Sequence, residues 1–269
     1  MGVLNVTPDS FSEGGRFLDP GRAVEHGVRM AAEGAAIIDV GGESTRPGAG
    51  AISAEEEIER VLPVIEQLAP RVEAIVSVDT SKPEVMRAAA AAGAGLINDV
   101  RALTAPGALE TAAATGCAVC LMHMRGEPAT MQADPSYVDV ASEVKAFLLG
   151  RAERCFASGI DAERLAIDPG FGFGKTLAHN LELLRSLPEL AATGLPVLVG
   201  LSRKSSLGAL TGRPASERLA GSLALAALAV FNGARIVRAH DVAPTVDAVR
   251  VASAVRGARE SAARWEGPA

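Results

Sequence analysis

Eight short apolar runs, each followed by a longer stretch of helical period, constrain this chain more than any other feature. The runs are VLNV (3–6), AIIDV (36–40), AIVSVD (74–79), GLINDV (95–100), AVCLMH (118–123), LAID (165–168), PVLVGL (196–201) and ARIVRAH (234–240). Helical stretches are predicted at 19–33, 53–69, 82–92, 107–115, 138–158, 177–187, 216–231 and 242–256. Ser53, Ser81 and Ser216 stand where side-chain N-caps would start three of them. Regular strand–helix alternation requires parallel strands, because a helical crossover returns the chain to the same end of the sheet. Eight such units in 269 residues fit an α/β fold, a (β/α)8 TIM barrel, and no Pro/Ser-rich linker divides residues 1–269 into more than a single domain. The rival, a doubly wound open sheet, needs a glycine fingerprint after the first strand, where this chain reads LNVTPDSFSEGG.

A net charge of −6 and a pI near 5.4 argue against nucleic acid as partner. Cys117, Cys120 and Cys155 are too few for a disulfide framework, and the C-x-x-C lies in an apolar strand where core packing explains it. No metal site follows from them. No basic segment followed by an apolar one opens the chain, and its greasiest segment, 219–231, is too short to span a bilayer. No membrane association and a cytoplasmic location are the expectations. That segment, LAGSLALAALAVF, is apolar nearly all round its helix, which fits burial on several sides with a subunit contact, or an ordinary helix against the barrel.

A barrel of this kind builds its site where strands end and βα loops begin. Those ends carry Asn5, Asp39, Asp79, Asn98 with Asp99, His123, Asp168, Ser202 with Arg203 and Lys204, and Arg238 with His240. Any one of them could simply solvate a strand exit, but all eight ends are polar. Asp79, Asn98 and Asp168 offer acceptors to a flat heterocycle with several N–H donors, while Arg46, Lys204, Arg238 and His240 offer positive charge to an anionic tail. Of only four lysines, Lys204 follows an apolar strand and is the functional candidate, whereas Lys175 is expected to face solvent. IDPGFGFGKT (167–176) imitates a phosphate loop but has Pro169 where the first glycine is needed. The long Gly/Ser/Pro-rich segments after the first two strands have lid composition, with Phe11 as a water-excluding cover.

NVTPDSFSEGG, IIDVGGESTRPGA, VSVDTSKPEV, INDV, LMHMRGEPATMQ, DPGFGFGK, VGLSRKS and VRAHDV occur in this order, and over its whole length the chain resembles the bacterial dihydropteroate synthase family. The resemblance implies a pterin-binding TIM barrel, a transferase that joins 6-hydroxymethyl-7,8-dihydropterin diphosphate to 4-aminobenzoate and releases diphosphate with help from Mg2+. It assigns Asp79, Asn98, Asp168 and Lys204 to the pterin, with Met122 and Gly200 lining its pocket. It gives Asn5 to Mg2+, Thr45, Arg46, Arg238 and His240 to the diphosphate, and Phe173, Lys204, Ser205, Thr45, Arg46 and Pro47 to the aminobenzoate. Asp79, Lys204, Arg238 and His240 would be the catalytic set, a homodimer the assembly, and sulfonamides competitors. Met1 falls where the family already has a leading segment, so a piece at the bottom of the barrel is expected to be missing.

A pterin-dependent methyltransferase domain would share the barrel and the acidic pterin contacts, but it would not need the NVTPDSFS, STRPGA or SRKS segments. A catalytically silent paralogue acting as a binding partner would show losses among Asn5, Arg46, Asp79, Lys204 and His240, and all are present.

Overall fold

Each apolar run becomes a parallel strand in the computed structural model, which describes residues 1–7, 19–44, 50–127 and 130–263. The strands are β1 Gly2–Asn5, β2 Ile37–Gly41, β3 Ile75–Asp79, β4 Leu96–Asp99, β5 Ala118–Met122, β6 Leu165–Asp168, β7 Leu198–Gly200 and β8 Ile236–Arg238. β1 to β6 form one ladder in sequence order and β7 pairs with β8. Parallel bridges join Ile167 to Val197 and Gly2 to Ala239. At these seams the Ile167 N–H donates to the Pro196 carbonyl at 2.9 Å and the Val3 N–H to the Ala239 carbonyl at 3.1 Å, closing the ring of eight.

Side chains alternate across each strand, so the register decides what enters the ring. Asp39 lies beside Ser77, Gly41 beside Asp79, Asp79 beside Asn98, and Met122 beside Asp168. Below this polar layer, Leu96, Cys120, Ala166 and Leu198 pack with Met1, Ile37, Ala118 and Ile236. The opposite face, including Ile38, Val40, Val78, Ile97, Val119, Leu121, Ile167 and Val199, joins the larger core against the helices. All three cysteines are free and buried.

The described helices are α1 Pro20–Ala32, α2 Ala54–Leu68, α3 Pro83–Ala91, α4 Ala108–Thr115, α5 Val140–Ala157, α6 Leu177–Arg185, α7 Leu187–Ala191, α8 Ser205–Thr211, α9 Leu219–Phe231 and α10 Val242–Ala263. Ser53 caps α2 as expected, accepting from the Glu56 N–H at 3.1 Å. The other two predicted caps differ. Ser81 turns its hydroxyl to the Asp99 carboxylate instead, leaving α3 without a side-chain cap, and Ser216 falls in a 3-10 turn ahead of α9. The short α7 and α8 were not expected. Pro188 has no N–H to continue the ladder of α6, so a new turn starts at Leu187; α8 ends where Gly212 enters the left-handed region at φ 71°.

Within the single chain α9 is buried on one side, through Ser222, Ala226, Ala229 and Val230. Its Leu219, Leu228 and Phe231 are exposed, as are Val251 and Val255 of the neighbouring α10. Among the described residues no helix is long and apolar enough to cross a membrane.

The β5 and β6 loops interlock above the barrel. Gly170 and Gly174 have φ of 70° and 63°, and a Cβ on either would overlap a carbonyl oxygen, of His123 and of Arg125 respectively. The Tyr137 hydroxyl donates to the Gly174 carbonyl at 2.9 Å, and Gln132 donates to the Gly172 carbonyl. Only glycine satisfies both the dihedral and the approach. Gly170→Ala is therefore expected to cost about 2–4 kcal/mol, read as a lowered midpoint in urea unfolding.

Candidate active site

One guanidinium organises the mouth of the barrel. From the end of β8, Arg238 donates through Nε to Asp39 Oδ2 at 2.6 Å and through Nη2 to Asp79 Oδ2 at 2.8 Å. Asp39 is fully buried and also accepts from Ser77 Oγ at 2.6 Å and from Asn98 Nδ2 at 3.0 Å. Four strands are thereby fastened through one carboxylate, and the Asn98 amide is held in a single orientation. Asn5 is half-buried at the end of β1, its Oδ1 3.8 Å from where a Cβ on Gly41 would stand.

Across the mouth, Asp168 is buried at the end of β6 and accepts from the Gly170 N–H at 2.7 Å. The Lys204 ammonium lies 4.3 Å from the centroid of the half-buried Phe173 ring, a cation–π contact. Met122 is buried at the end of β5, Ser205 opens α8, and a Cβ on Gly200 would meet nothing within 4 Å, so this glycine leaves the mouth open. Lys204 follows Arg203, whose backbone is left-handed at φ 57°, an uncommon state for a residue with a side chain. Neighbours hold that turn. Arg203 Nε donates to Asp241 Oδ2 at 3.0 Å, its N–H to Ser222 Oγ at 3.0 Å, and Arg218 donates to the carbonyls of Arg203 and Lys204 at 3.1 and 3.3 Å. His240 stands next to Ser202, Nδ1 to Oγ 3.1 Å.

Burial dominates the electrostatics. Desolvation raises Asp79 to about 7, only partly offset by Arg238 and reinforced by Asp39, and raises Asp168 to about 6 against the Gly170 N–H and Lys204. It lowers Lys204 to about 8. Burial also pulls Arg238 down, but the carboxylates of Asp39 and Asp79 more than reverse this and keep it firmly cationic. His240 is lowered to about 4 by burial and then by Arg238 and Arg203, so it is neutral at pH 7. Burial thus disfavours the charged form expected of it, and among the described residues of the expected positive set the charge on the rim comes from Arg238 and Lys204.

Two further expectations change. Lys175 does not face solvent: it is buried, with Nζ 3.0 Å from His123 Nδ1 and 3.0 Å from the Phe173 carbonyl. Asp99 leaves the rim, because β4 alternation turns it outward to accept from Ser81 and from the N–H groups of Arg101 and Leu103, both at 2.8 Å. Thr45, Arg46, Pro47 and Phe11 lie outside the described residues. The base of the β2 loop is described and holds a set that sequence reasoning missed: Lys82 Nζ reaches Glu43 at 2.6 Å and the buried Glu57 at 2.5 Å, and Glu43 accepts from the Ile52 N–H at 3.3 Å. Acidic residues after β2 and a lysine after β3 were the available signal.

An acceptor-rich pocket beside a cation pair suits a heterocycle with an anionic substituent. The model of the pterin binding enzyme family matches residues 1–240. The chain is 56% identical over 261 residues to dihydropteroate synthase of Escherichia coli, covering 97% of this chain and 93% of that one. It superposes with a TM-score of 0.89 on a Xanthomonas albilineans dihydropteroate synthase solved with 4-aminobenzoic acid, at 55% identity over 95% of this chain and 92% of that one. A structure from the same organism in complex with 7,8-dihydropteroate gives a TM-score of 0.86 at 52% identity, covering 95% and 92% of the two chains.

Asp39→Ala is expected to cost about 3–5 kcal/mol, because it leaves the Arg238 guanidinium short of a buried partner. Thermal melting reads this loss, and an unchanged midpoint would show that the carboxylate is not the organising acceptor.

Proposed function

This chain belongs to the dihydropteroate synthase family of pterin-binding enzymes, and on that premise we propose how its residues divide the work of the reaction. The reaction condenses 6-hydroxymethyl-7,8-dihydropterin diphosphate with 4-aminobenzoate to give 7,8-dihydropteroate and diphosphate. The enzyme is a transferase. The single observation that supports the site assignment best is the juxtaposition of Asp79, Asn98 and Asp168 with Arg238 and Lys204 at one barrel mouth.

In this reading Asp79, Asn98 and Asp168 accept the N–H donors of the pterin, and Lys204 meets it from the opposite side, with Met122 and Gly200 lining the pocket. Arg238 and His240, together with Thr45 and Arg46, bind the diphosphate. Phe173, Lys204, Ser205 and Pro47 flank the aminobenzoate. The bond between the pterin methylene carbon and the diphosphate oxygen breaks first, its electron pair leaving with diphosphate. Arg238 stabilises that developing charge from a fixed position, so little reorganisation is needed as the bond breaks. Asp79 and Asp168 lower the energy of the cationic methylene group. The amine lone pair then forms the C–N bond and the nitrogen loses a proton; since the aniline is neutral at the outset, no strong general base is required.

Mg2+ belongs to the same proposal. Among the described residues no three His, Cys, Asp or Glu side chains form a metal cluster, but the half-buried Asn5 amide oxygen fits an ion held mainly by water and diphosphate oxygens. Bound Mg2+ would neutralise leaving-group charge. We also assign the chain a single pterin-binding domain over residues 1–269, a cytoplasmic location consistent with its free buried cysteines, and a homodimer through the exposed apolar residues of α9 and α10.

Purified protein given both substrates and Mg2+ is expected to release dihydropteroate, and folded protein that forms none would refute the reading. Binding of the pterin should also follow pH. Asp79 near 7 and Asp168 near 6 offer a charged carboxylate with two acceptor oxygens only when ionised, and once protonated each turns an O–H donor toward the ligand, so affinity is expected to fall as pH drops, by at least about tenfold between about pH 7.5 and 5.5. Calorimetry checks this. The Asp79→Asn, Asp168→Asn double variant should bind weakly and with a flat profile, whereas equal wild-type affinity at both pH values would remove the carboxylates from the pterin site.

A further inference from the structure

Lys175 is a buried titratable group near the mouth that the division of labour above leaves without a task. Only 3% of it is exposed, and burial lowers it to about 7, with Asp168 opposing this and Lys204 adding to it; as ammonium or as amine, its N–H groups find acceptors. Nζ donates to His123 Nδ1 at 3.0 Å, to the Phe173 carbonyl at 3.0 Å and to the His123 carbonyl at 3.4 Å. The first acceptor is available because burial and the Lys175 charge hold His123 neutral, its pKa lowered to about 3. The His123 ring is itself fixed, packed edge-on to Phe147 at 5.0 Å between centroids. Lys175 therefore ties the β6 loop to a rigid point at the end of β5.

The tie falls on the residue that matters in that loop. The Phe173 carbonyl is held by Lys175, while the Phe173 ring lies against the Lys204 ammonium. Asn180 secures the flanks, accepting from the Gly172 N–H at 2.8 Å and donating to the Thr176 carbonyl at 2.8 Å. The peptide before the ring is held by the Phe173 N–H, which donates to the Gly170 carbonyl at 3.1 Å, and by Gln132 on the Gly172 carbonyl; the peptide after it is held by Lys175.

We propose that Lys175 is a positioning residue for the second substrate: by anchoring the Phe173 peptide to His123 it sets the distance between the Phe173 ring and Lys204, and so the slot that receives the aryl amine. This rests on the reading that Phe173 and Lys204 flank 4-aminobenzoate.

Lys175→Met keeps the length of the side chain and removes its donors. It is expected to raise KM for 4-aminobenzoate about tenfold while KM for the pterin diphosphate changes less than about twofold, a split that general loosening of the fold would not produce. Lys175→Arg, which retains N–H donors at the end of a long side chain, should recover most of the aminobenzoate KM. If Lys175→Met yields no folded protein, Lys175→Gln is compared with Lys175→Arg, and the split is expected in the first and not in the second. Equal changes in both KM values, or no change, overturn the proposal. Phe173→Ala separates the two levels: if it leaves the aminobenzoate KM unchanged, the slot itself is misassigned. If it raises that KM while Lys175→Met does not, only the positioning role falls.

Discussion

The Arg238 guanidinium between Asp39 and Asp79 is the interaction on which the rest of the mouth depends. Three ionic groups here are largely withdrawn from water, which is tolerable only because nearly every donor and acceptor finds a partner at 2.6–3.0 Å. The result is unequal. Asp39 is saturated by three donors and serves as scaffold. Asp79 shares only one of them, and its raised pKa marks it as the carboxylate still in need of a donor. A ligand with N–H groups supplies what the protein leaves unsatisfied, so affinity and pre-organisation come from the same unbalanced pair.

The second half of the site follows a different physical rule. Lys204 and Phe173 sit on irregular backbone, after a left-handed Arg203 and among three glycines of positive φ. Such backbone keeps its shape only when its surroundings hold it. Arg218, Asp241 and Ser222 hold the first segment; Lys175, Asn180, Gln132 and Tyr137 hold the second. Rigidity is thus achieved by side chains reaching in from neighbouring loops, not by secondary structure.

All eight strands and the order of the main helices were legible in the sequence because hydrophobic period is a local property. The polar rim was legible as well, since parity along a strand places Asp39, Asp79, Asn98, Asp168 and Arg238 on one face. Parity also shows why Asp99, one step beyond Asn98, leaves that face. Lys175 was misread because a lysine after a glycine-rich turn resembles a surface residue, and only the tertiary approach of His123 makes a buried position for it. The caps at Ser81 and Ser216 failed similarly: Asp99 competes for the first hydroxyl, and a 3-10 turn displaces the second. His240 reads as a cation in sequence, yet burial first, and then Arg238 and Arg203, disfavour its charged form, and burial is a tertiary property that the local sequence does not show.

β7 and β8 join the other six strands through one bridge at each side, and the loop between them, with the end of β8, carries Lys204, Arg238 and His240. The β1 side is reinforced by main-chain hydrogen bonds from Val3, Ala239 and the Met1 amine at 2.9–3.1 Å and by Arg238 reaching Asp39 and Asp79, so the thinner joint is the one between β6 and β7, with Asp168 on one side and Lys204 on the other. In the proposed division of labour a substrate held by Asp168 and Lys204 spans that joint, and part of its binding free energy is then the free energy of keeping the ring shut, which would make it the last stave of the barrel as well as its contents.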